Sequence, residues 1–151
     1  MITDQKLNLP LYSFKFKTSK NKQYIFDEIR KKFVYLSPEE WVRQNFLKYL
    51  VNNRKYPPSL ISIEKKIKVL KTSKRFDIMI HNQNGNPNIM VECKSYKYNI
   101  NQNAFDQISR YNLNLNVNLI IITNGISHYY INIDYEKNKF IFLDNIPIFK
   151  L

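Results

Sequence analysis

The chain has 151 residues, 44% of them hydrophobic and 15% aromatic, which is enough for one domain with its own core and too apolar for a disordered tail. Twenty-four Lys and Arg against 12 Asp and Glu leave a formal charge of +12, the balance of a surface that attracts polyanions, nucleic acid above all. No apolar run approaches the roughly 20 residues of a membrane-spanning helix, the N-terminus MITDQKLNLPLYSFKFK lacks the apolar core of an export signal, and the single cysteine, Cys93, excludes an intramolecular disulfide, so the expectation is a cytoplasmic protein without membrane attachment. An AT-rich coding sequence, evident in the abundance of Lys, Asn, Ile and Tyr, is the other source of such a lysine excess.

In chain order, LYSFKFKTSKNKQYIFDEIRKKFVYL reads as short strands around a TSKNK turn. SPEEWVRQNFLKYLVNN follows as a helix, with Ser37 as N-cap, Pro38 in the first turn and Glu40 three residues on to complete a capping box. Glu39 has no capping task and shares a helix face with Arg43 at i+4, the spacing of a surface ion pair. SLISIEKKIKVL alternates with a period of two. Ile61, Ile63, Ile67 and Val69 lie on one face, where Lys65 is the exception, and Glu64, Lys66 and Lys68 lie on the other.

A KTSK turn then leads into KRFDIMIHNQNGNPNIMVECKSY, two strands around Asn84-Gly85. A two-residue loop there would place Asp77 opposite Glu92 and Arg75 opposite Lys94, with Phe76, Ile78, Ile80, Ile89, Val91 and Cys93 sharing the apolar face. NQNAFDQISRYNLNL is a second helix, capped by Asn101 or Asn103, on which Gln107 and Tyr111 are i, i+4 neighbours with Arg110 adjacent. VNLIIITNG is a buried strand ending at Asn124-Gly125, and HYYINIDYEKNKFIFLD gives two more strands. His81 and His128 read as turn or surface residues, too few for a zinc site without cysteine partners. With only two glycines, Gly85 and Gly125, the chain cannot carry a Walker A loop, so no nucleotide cofactor is expected. The order of elements predicts an α/β (α+β) fold, a mixed central sheet flanked by helices.

Asp77 opposite Glu92 would bring two like charges face to face, a cost of about 0.2–1 kcal/mol. A hard divalent cation held by both carboxylates turns that cost into a gain, and Mg²⁺ is commonly held by one or two carboxylates with waters and phosphate oxygens. Lys94 points the same way as Glu92 and supplies an ammonium for phosphate charge or for the attacking water. Asp, Glu and Lys on the wet face of a sheet are also ordinary surface residues.

The pieces YIFDEIRKKFVYLSPEEWVRQNF, KRFDIMI, VECKSY, FDQISRYN and IITNG resemble the PD-(D/E)xK nuclease superfamily, and more narrowly the N-terminal nuclease domain of type I restriction enzyme R subunits. Phe76 stands where the motif has Pro. The resemblance implies a restriction-endonuclease-like αβββαβ core over residues 37–151, with residues 1–36 as an N-terminal strand extension of the same structural domain. It implies metal ligation by Asp77, Glu92 and the first-helix acid Glu39 (Glu40 being the alternative), and action of Lys94 on the nucleophilic water. It gives Gln107 and Tyr111 a supporting role. Arg75, Lys66, Lys68 and Arg110 are the expected nucleic-acid contacts. The implied activity is Mg²⁺-dependent endonuclease hydrolysis of DNA (Mn²⁺ being the other candidate ion), without the helicase motor of a full R subunit. DNA is then the partner, joined by a second copy of the chain or by a separate specificity or motor subunit. The competing function is a non-catalytic nucleic-acid-binding module or a subunit of a larger restriction or repair complex.

Overall fold

A computed structural model describes residues 1–69 and 71–151, apart from the side chains of residues 69, 72, 74 and 109–115. Near the N-terminus β1 (Phe16–Ser19), β2 (Lys22–Asp27) and β3 (Lys32–Tyr35) form an antiparallel three-stranded sheet. The expected TSKNK turn is a two-residue loop: Lys20 and Asn21 have φ of 51° and 62°, the doubly positive geometry that matches strand twist, and Ser19 pairs with Lys22. α1 (Pro38–Lys48) begins as its sequence predicts, with the Glu40 N–H donating to Ser37 Oγ at 3.0 Å. The Glu40 side chain does not complete a capping box. Its carboxylate is taken by Arg30, Arg43 and Gln44 instead.

The main sheet has six strands in the order β4 (Ile61–Val69), β5 (Thr72–His81), β6 (Pro87–Cys93), β7 (Leu119–Thr123), β8 (His128–Asp134) and β9 (Lys139–Leu143). Every neighbouring pair is antiparallel except β6 and β7, whose parallel pairing needs the crossover that α2 (Gln102–Leu115) supplies. The Ala104 N–H donates to Asn101 Oδ1, so Asn101 is the cap of α2. α1 covers one face, where Val42, Phe46 and Leu47 pack with Ile78, Ile80, Ile89, Val91, Leu119 and Ile121. α2 covers the other, where Ile108 packs with Met79, Met90, Ile120, Ile122 and Ile131. Helix, three antiparallel strands, helix and parallel strand is the expected mixed α+β core. Ile25 and Leu36, from β2 and the segment after β3, join the α1-side core.

The hairpin loop differs from its sequence reading. Only Gly85 has positive φ (85°); Asn84 does not, and the loop closes between Asn82 and Asn86, whose N–H and C=O bond at 2.8 Å. A three-residue loop of this kind shifts the register by one residue. An irregularity between Ile80 and His81 restores it, because Ile80 pairs with Ile89 but His81 with Pro87, which leaves Asn88 as the extra residue. Ile78 therefore faces Val91 as the sequence implied, but the ladder ends there. Arg75 pairs with Lys66 of β4 rather than with Lys94, whose N–H bonds to the Thr123 carbonyl of β7. The expected KTSK turn is also displaced: Thr72, Ser73 and Lys74 already belong to β5, and Leu70 lies outside the described residues.

Candidate active site

The site forms where the strand alternation resets. Glu64 of β4 has φ of 52° and stands between the pairs Ile63–Ile78 and Lys65–Phe76, level with Asp77. Ile78 belongs to the α1-side core but Phe76 to the α2-side core, although strand residues two apart ordinarily share a face. This corrects the placement of Phe76 beside Ile78 on one apolar face, and likewise that of Ile67, which packs on the α2 side while Ile61 belongs to the α1 side. A left-handed glutamate costs about 1–2 kcal/mol. The reset turns the carboxylates of Glu64 and Asp77 toward α1 and the guanidinium of Arg43, and that network offsets the strain.

Arg43 is the hub. Its Nη1 donates to Glu40 Oε1 at 2.8 Å and to Glu64 Oε1 at 3.3 Å; its Nη2 donates to Asp77 Oδ1 at 2.8 Å and to Glu39 Oε1 at 3.2 Å. Arg30, in the turn between β2 and β3, joins Glu40 and Glu64 of this set and adds Asp27. Burial opposes the charge on Arg43, but Glu40 and Asp77 more than compensate and raise its pKa. The linked network holds five carboxylates, from Asp27, Glu39, Glu40, Glu64 and Asp77, against two guanidiniums. Its formal charge is −3, in a protein whose total is +12.

Asp77 Oδ2 accepts the Cys93 N–H at 2.8 Å, which ties it to the strand that carries Glu92 and Lys94. Lys94 Nζ lies 3.3 Å from Glu92 Oε1 and 5.5 Å from the Tyr98 ring centroid. Burial acts to lower the Lys94 pKa, and Glu92, with smaller contributions from Tyr98 and Asp77, raises it overall. The Glu39 carboxyl is pushed up by partial burial and by Asp77, against the pull of Arg43 and Lys94. Glu39, Asp77, Glu92 and Lys94 thus share one electrostatic neighbourhood. The Cys93 thiol beneath them is fully buried and its pKa is raised, first by burial and then by Asp77.

Glu39 is 47% exposed and meets Asp77 through Arg43. Among the described residues no three His, Cys, Asp or Glu side chains are close enough to enclose a metal ion, so the expected three-carboxylate set of Asp77, Glu92 and Glu39 is not assembled. Arg75, Lys66 and Lys68 are exposed on the strands that carry Asp77 and Glu64, with Lys66 opposite Arg75 and Lys68 opposite Ser73. Gln107 is exposed on α2; its expected partner Tyr111 and the adjacent Arg110 fall outside the described side chains.

Sequence reasoning took Arg43 only as a surface partner of Glu39 and gave Arg30 no part. Both were weak signals, because a basic residue at i+4 from an acid is common on solvated helices. It also missed Asn124. The Asn124 side chain accepts the N–H groups of Ile126 and Ser127 and donates to the Tyr98 carbonyl, fixing the segment that follows Lys94. Gly125 beside it has φ of 84°, and a Cβ there would stand 2.8 Å from Leu7 Cδ2. His128 is a strand residue and no turn residue. Its Nε2–H donates to the Asn8 carbonyl at 2.9 Å, which leaves Nδ1 to accept from the Thr123 hydroxyl at 2.7 Å.

The family model described as "Type I restriction enzyme R protein N terminus" matches residues 38–147, a span that holds Glu39, Arg43, Asp77, Glu92 and Lys94 but not Asp27 or Arg30. The chain belongs to this family. Among solved structures, a fragment ascribed to an HsdR subunit of a type I restriction enzyme from Vibrio vulnificus YJ016 aligns with a TM-score of 0.53 at 19% identity over 74% of the chain, which shows a shared fold. The chain spans 24% of that structure's length. A comparison with curated proteins found no match. Among the described residues no helix is long and apolar enough to cross a membrane.

The donor set of this R-protein N-terminal domain suits a hard cation. Asp77 and Glu92 both act electrostatically on Cys93 and Lys94, and among the described residues each Asp77 oxygen accepts one hydrogen bond, Oδ1 from Arg43 and Oδ2 from the Cys93 N–H, which leaves lone-pair capacity on each. The four other carboxylates of the network outnumber its two guanidiniums, and this net −2 beside Asp77 favours a divalent ion. Two carboxylates completed by water and phosphate is a usual arrangement for Mg²⁺, whereas a closed all-protein cage is not.

Proposed function

We propose that the chain is a metal-dependent DNA endonuclease domain of the PD-(D/E)xK type, acting within or beside a type I restriction assembly. What carries the reading is the meeting of Asp77, held by Arg43 and the Cys93 N–H, with Glu92 and Lys94 at the end of the β5–β6 ladder. Asp77 and Glu92 would hold Mg²⁺, or Mn²⁺ in its place. Such an ion, when bound, polarises the scissile phosphate and acidifies water. Glu39 borders the pair and tunes it through Arg43. In hydrolysis a water oxygen adds to phosphorus, the P–O3′ bond breaks, and the 3′-oxygen takes up a proton.

Lys94, 3.3 Å from Glu92 Oε1, would neutralise charge building on the phosphate or act on the attacking water. Arg75, Lys66 and Lys68 extend from the acidic centre along β4 and β5 as phosphate contacts. The kinship with R proteins supports a larger complex, with other subunits supplying specificity and translocation.

The test is cleavage of supercoiled, linear, single-stranded and branched DNA by the purified chain in Mg²⁺ or Mn²⁺. Nicking that disappears in Lys94→Ala and Asp77→Asn, with circular dichroism unchanged, supports the proposal. Undiminished cleavage by Lys94→Ala removes Lys94 from the chemistry. Salt-sensitive DNA binding without cleavage in either metal replaces the proposal with the non-catalytic binding module.

A further inference from the structure

The sheet of β1, β2 and β3 turns one face toward α1. Ile25 and Val34 pack there into the α1-side core, and Asp27, the only acid in the three strands, is buried on the same face against Arg30 and Gln44. The opposite face carries Tyr24 against Tyr35 and Phe26 against Phe33, cross-strand pairs with ring centroids 6.1 Å and 5.2 Å apart. None of the four rings joins either core cluster, and Tyr35 is 56% exposed. The outward face of an antiparallel sheet is ordinarily polar, so a layer of four rings there marks a binding surface.

The charges on that face select its occupant. Lys17 stands opposite Tyr24, and its Nζ lies 4.8 Å from the Phe33 ring centroid. Lys15, whose carbonyl accepts the Phe26 N–H, lies over the Phe26 ring at 5.8 Å, and Lys22 lies over Tyr35 at 6.0 Å. All three lysines are exposed, none forms an ion pair among the described residues, and no carboxylate of the three strands shares their face. Rings for flat heterocycles, with ammoniums between them for phosphates, are what unstacked nucleic acid requires. A duplex keeps its base faces inside the stack and meets such rings only with edges and backbone, so the fit is to a single strand. An ammonium over a solvated ring is held more weakly than a stacked base, so a base can take its place and leave the lysine to a phosphate. We infer that this face is a platform for single-stranded DNA, with bases stacked on its tyrosine and phenylalanine rings and phosphates held by Lys15, Lys17 and Lys22. That the strand is DNA rests on the nuclease reading above; the platform itself precedes residue 38 and lies outside the family match.

Anisotropy of a fluorescent oligo(dT) of about 16 nucleotides, titrated with the 151-residue chain in EDTA, tests this with metal-dependent hydrolysis switched off. Tyr24→Ala and Tyr35→Ala should each weaken binding by at least about fivefold, the low end for loss of one stacked base, while Tyr35→Phe, which keeps the ring, should stay within about twofold of the parent. Lys17→Ala should reduce the slope of log affinity against log salt by about 0.7, the contribution of one single-strand phosphate. Tyr35→Ala, at a ring already in solvent, should keep the parent's melting temperature and its affinity for duplex DNA of the same length. Absence of oligo(dT) binding, or binding that neither alanine variant weakens, overturns the inference and leaves the rings capped by their lysines alone. Tighter binding of oligo(rU) gives the face to RNA and overturns it equally. A chain that binds as expected yet never cuts in Mg²⁺ or Mn²⁺ refutes the nuclease and keeps the platform; a chain that cuts but binds oligo(dT) without regard to the rings does the reverse.

Discussion

Replacing Arg43 with Met tests whether the buried guanidinium is what organises the site. The side chain is almost wholly enclosed and contacts four carboxylates, two of them at 2.8 Å. Removing one partner of a buried ion pair costs about 3–5 kcal/mol, because the charge left behind is desolvated and unpaired. Two features reduce that figure. Arg43 Nε is buried without a hydrogen-bond partner, so its removal returns about 1 kcal/mol. Glu40 and Glu64 also keep Arg30, and Asp77 keeps the Cys93 N–H. The net expectation is a loss of about 2–4 kcal/mol, which for a domain of this size lowers the melting temperature by roughly 10 °C. Glu39→Gln removes only the half-exposed arm of the same hub and should cost less than about 1 kcal/mol. Urea unfolding followed by circular dichroism measures both. If the two variants unfold at the same urea concentration, Arg43 is a surface ion-pair partner and the network has been misread.

Three further outcomes follow from particular contacts. Gly125→Ala should destabilise by about 1–3 kcal/mol, since the residue has φ of 84° and its new methyl would meet Leu7 and Val42; thermal melts give the size, and faster proteolysis of the N-terminal segment shows where the strain is released. Burial lowers the His128 pKa below its ordinary 6.5, against the pull of the Asn8 carbonyl, so the folded state disfavours the imidazolium. Unfolded chains then bind more protons across that interval, and stability should climb as pH rises from the lowered value to about 6.5 and level off above it; His128→Asn should reduce the climb in pH-dependent melts, leaving the contribution of His81, which is lowered in the same direction. Glu92→Gln should lower the Lys94 pKa, because Glu92 is the largest influence raising it, and nitrogen NMR of the Lys94 ammonium against pH reads the change directly.

Much of the fold was legible because its signals are local. Ser37 and Pro38 announce α1 through groups that act within one turn, and Asn101 does the same for α2. The apolar run of residues 119–122, closed by Thr123, announces the buried parallel strand. The hairpin is the instructive case. The loop at Asn84-Gly85 was assigned one residue too short, yet the bulge at Asn88 cancels the error, and the pairing of Ile78 with Val91 was correct for an incomplete reason. Alternation alone could not reveal the reset at Glu64 and Asp77, because it assumes an unbroken pleat, and a left-handed glutamate leaves no mark in the sequence.

By itself, the sequence determined which groups are available: two acids and an amine in neighbouring strands, a basic surplus to meet a polyanion, and helices and strands in an order that admits one mixed sheet. Those properties reside in residue types and short spacings, where capping and side-chain alternation act. Only the tertiary structure decided where the acids turn. Asp77 faces Arg43 because strands 34 residues removed from the helix pack against it and because Glu64, across the ladder, is held by Arg30 from the turn between β2 and β3. Ion pairing in a desolvated interior depends on which charges the fold brings together, and no local rule carries that information.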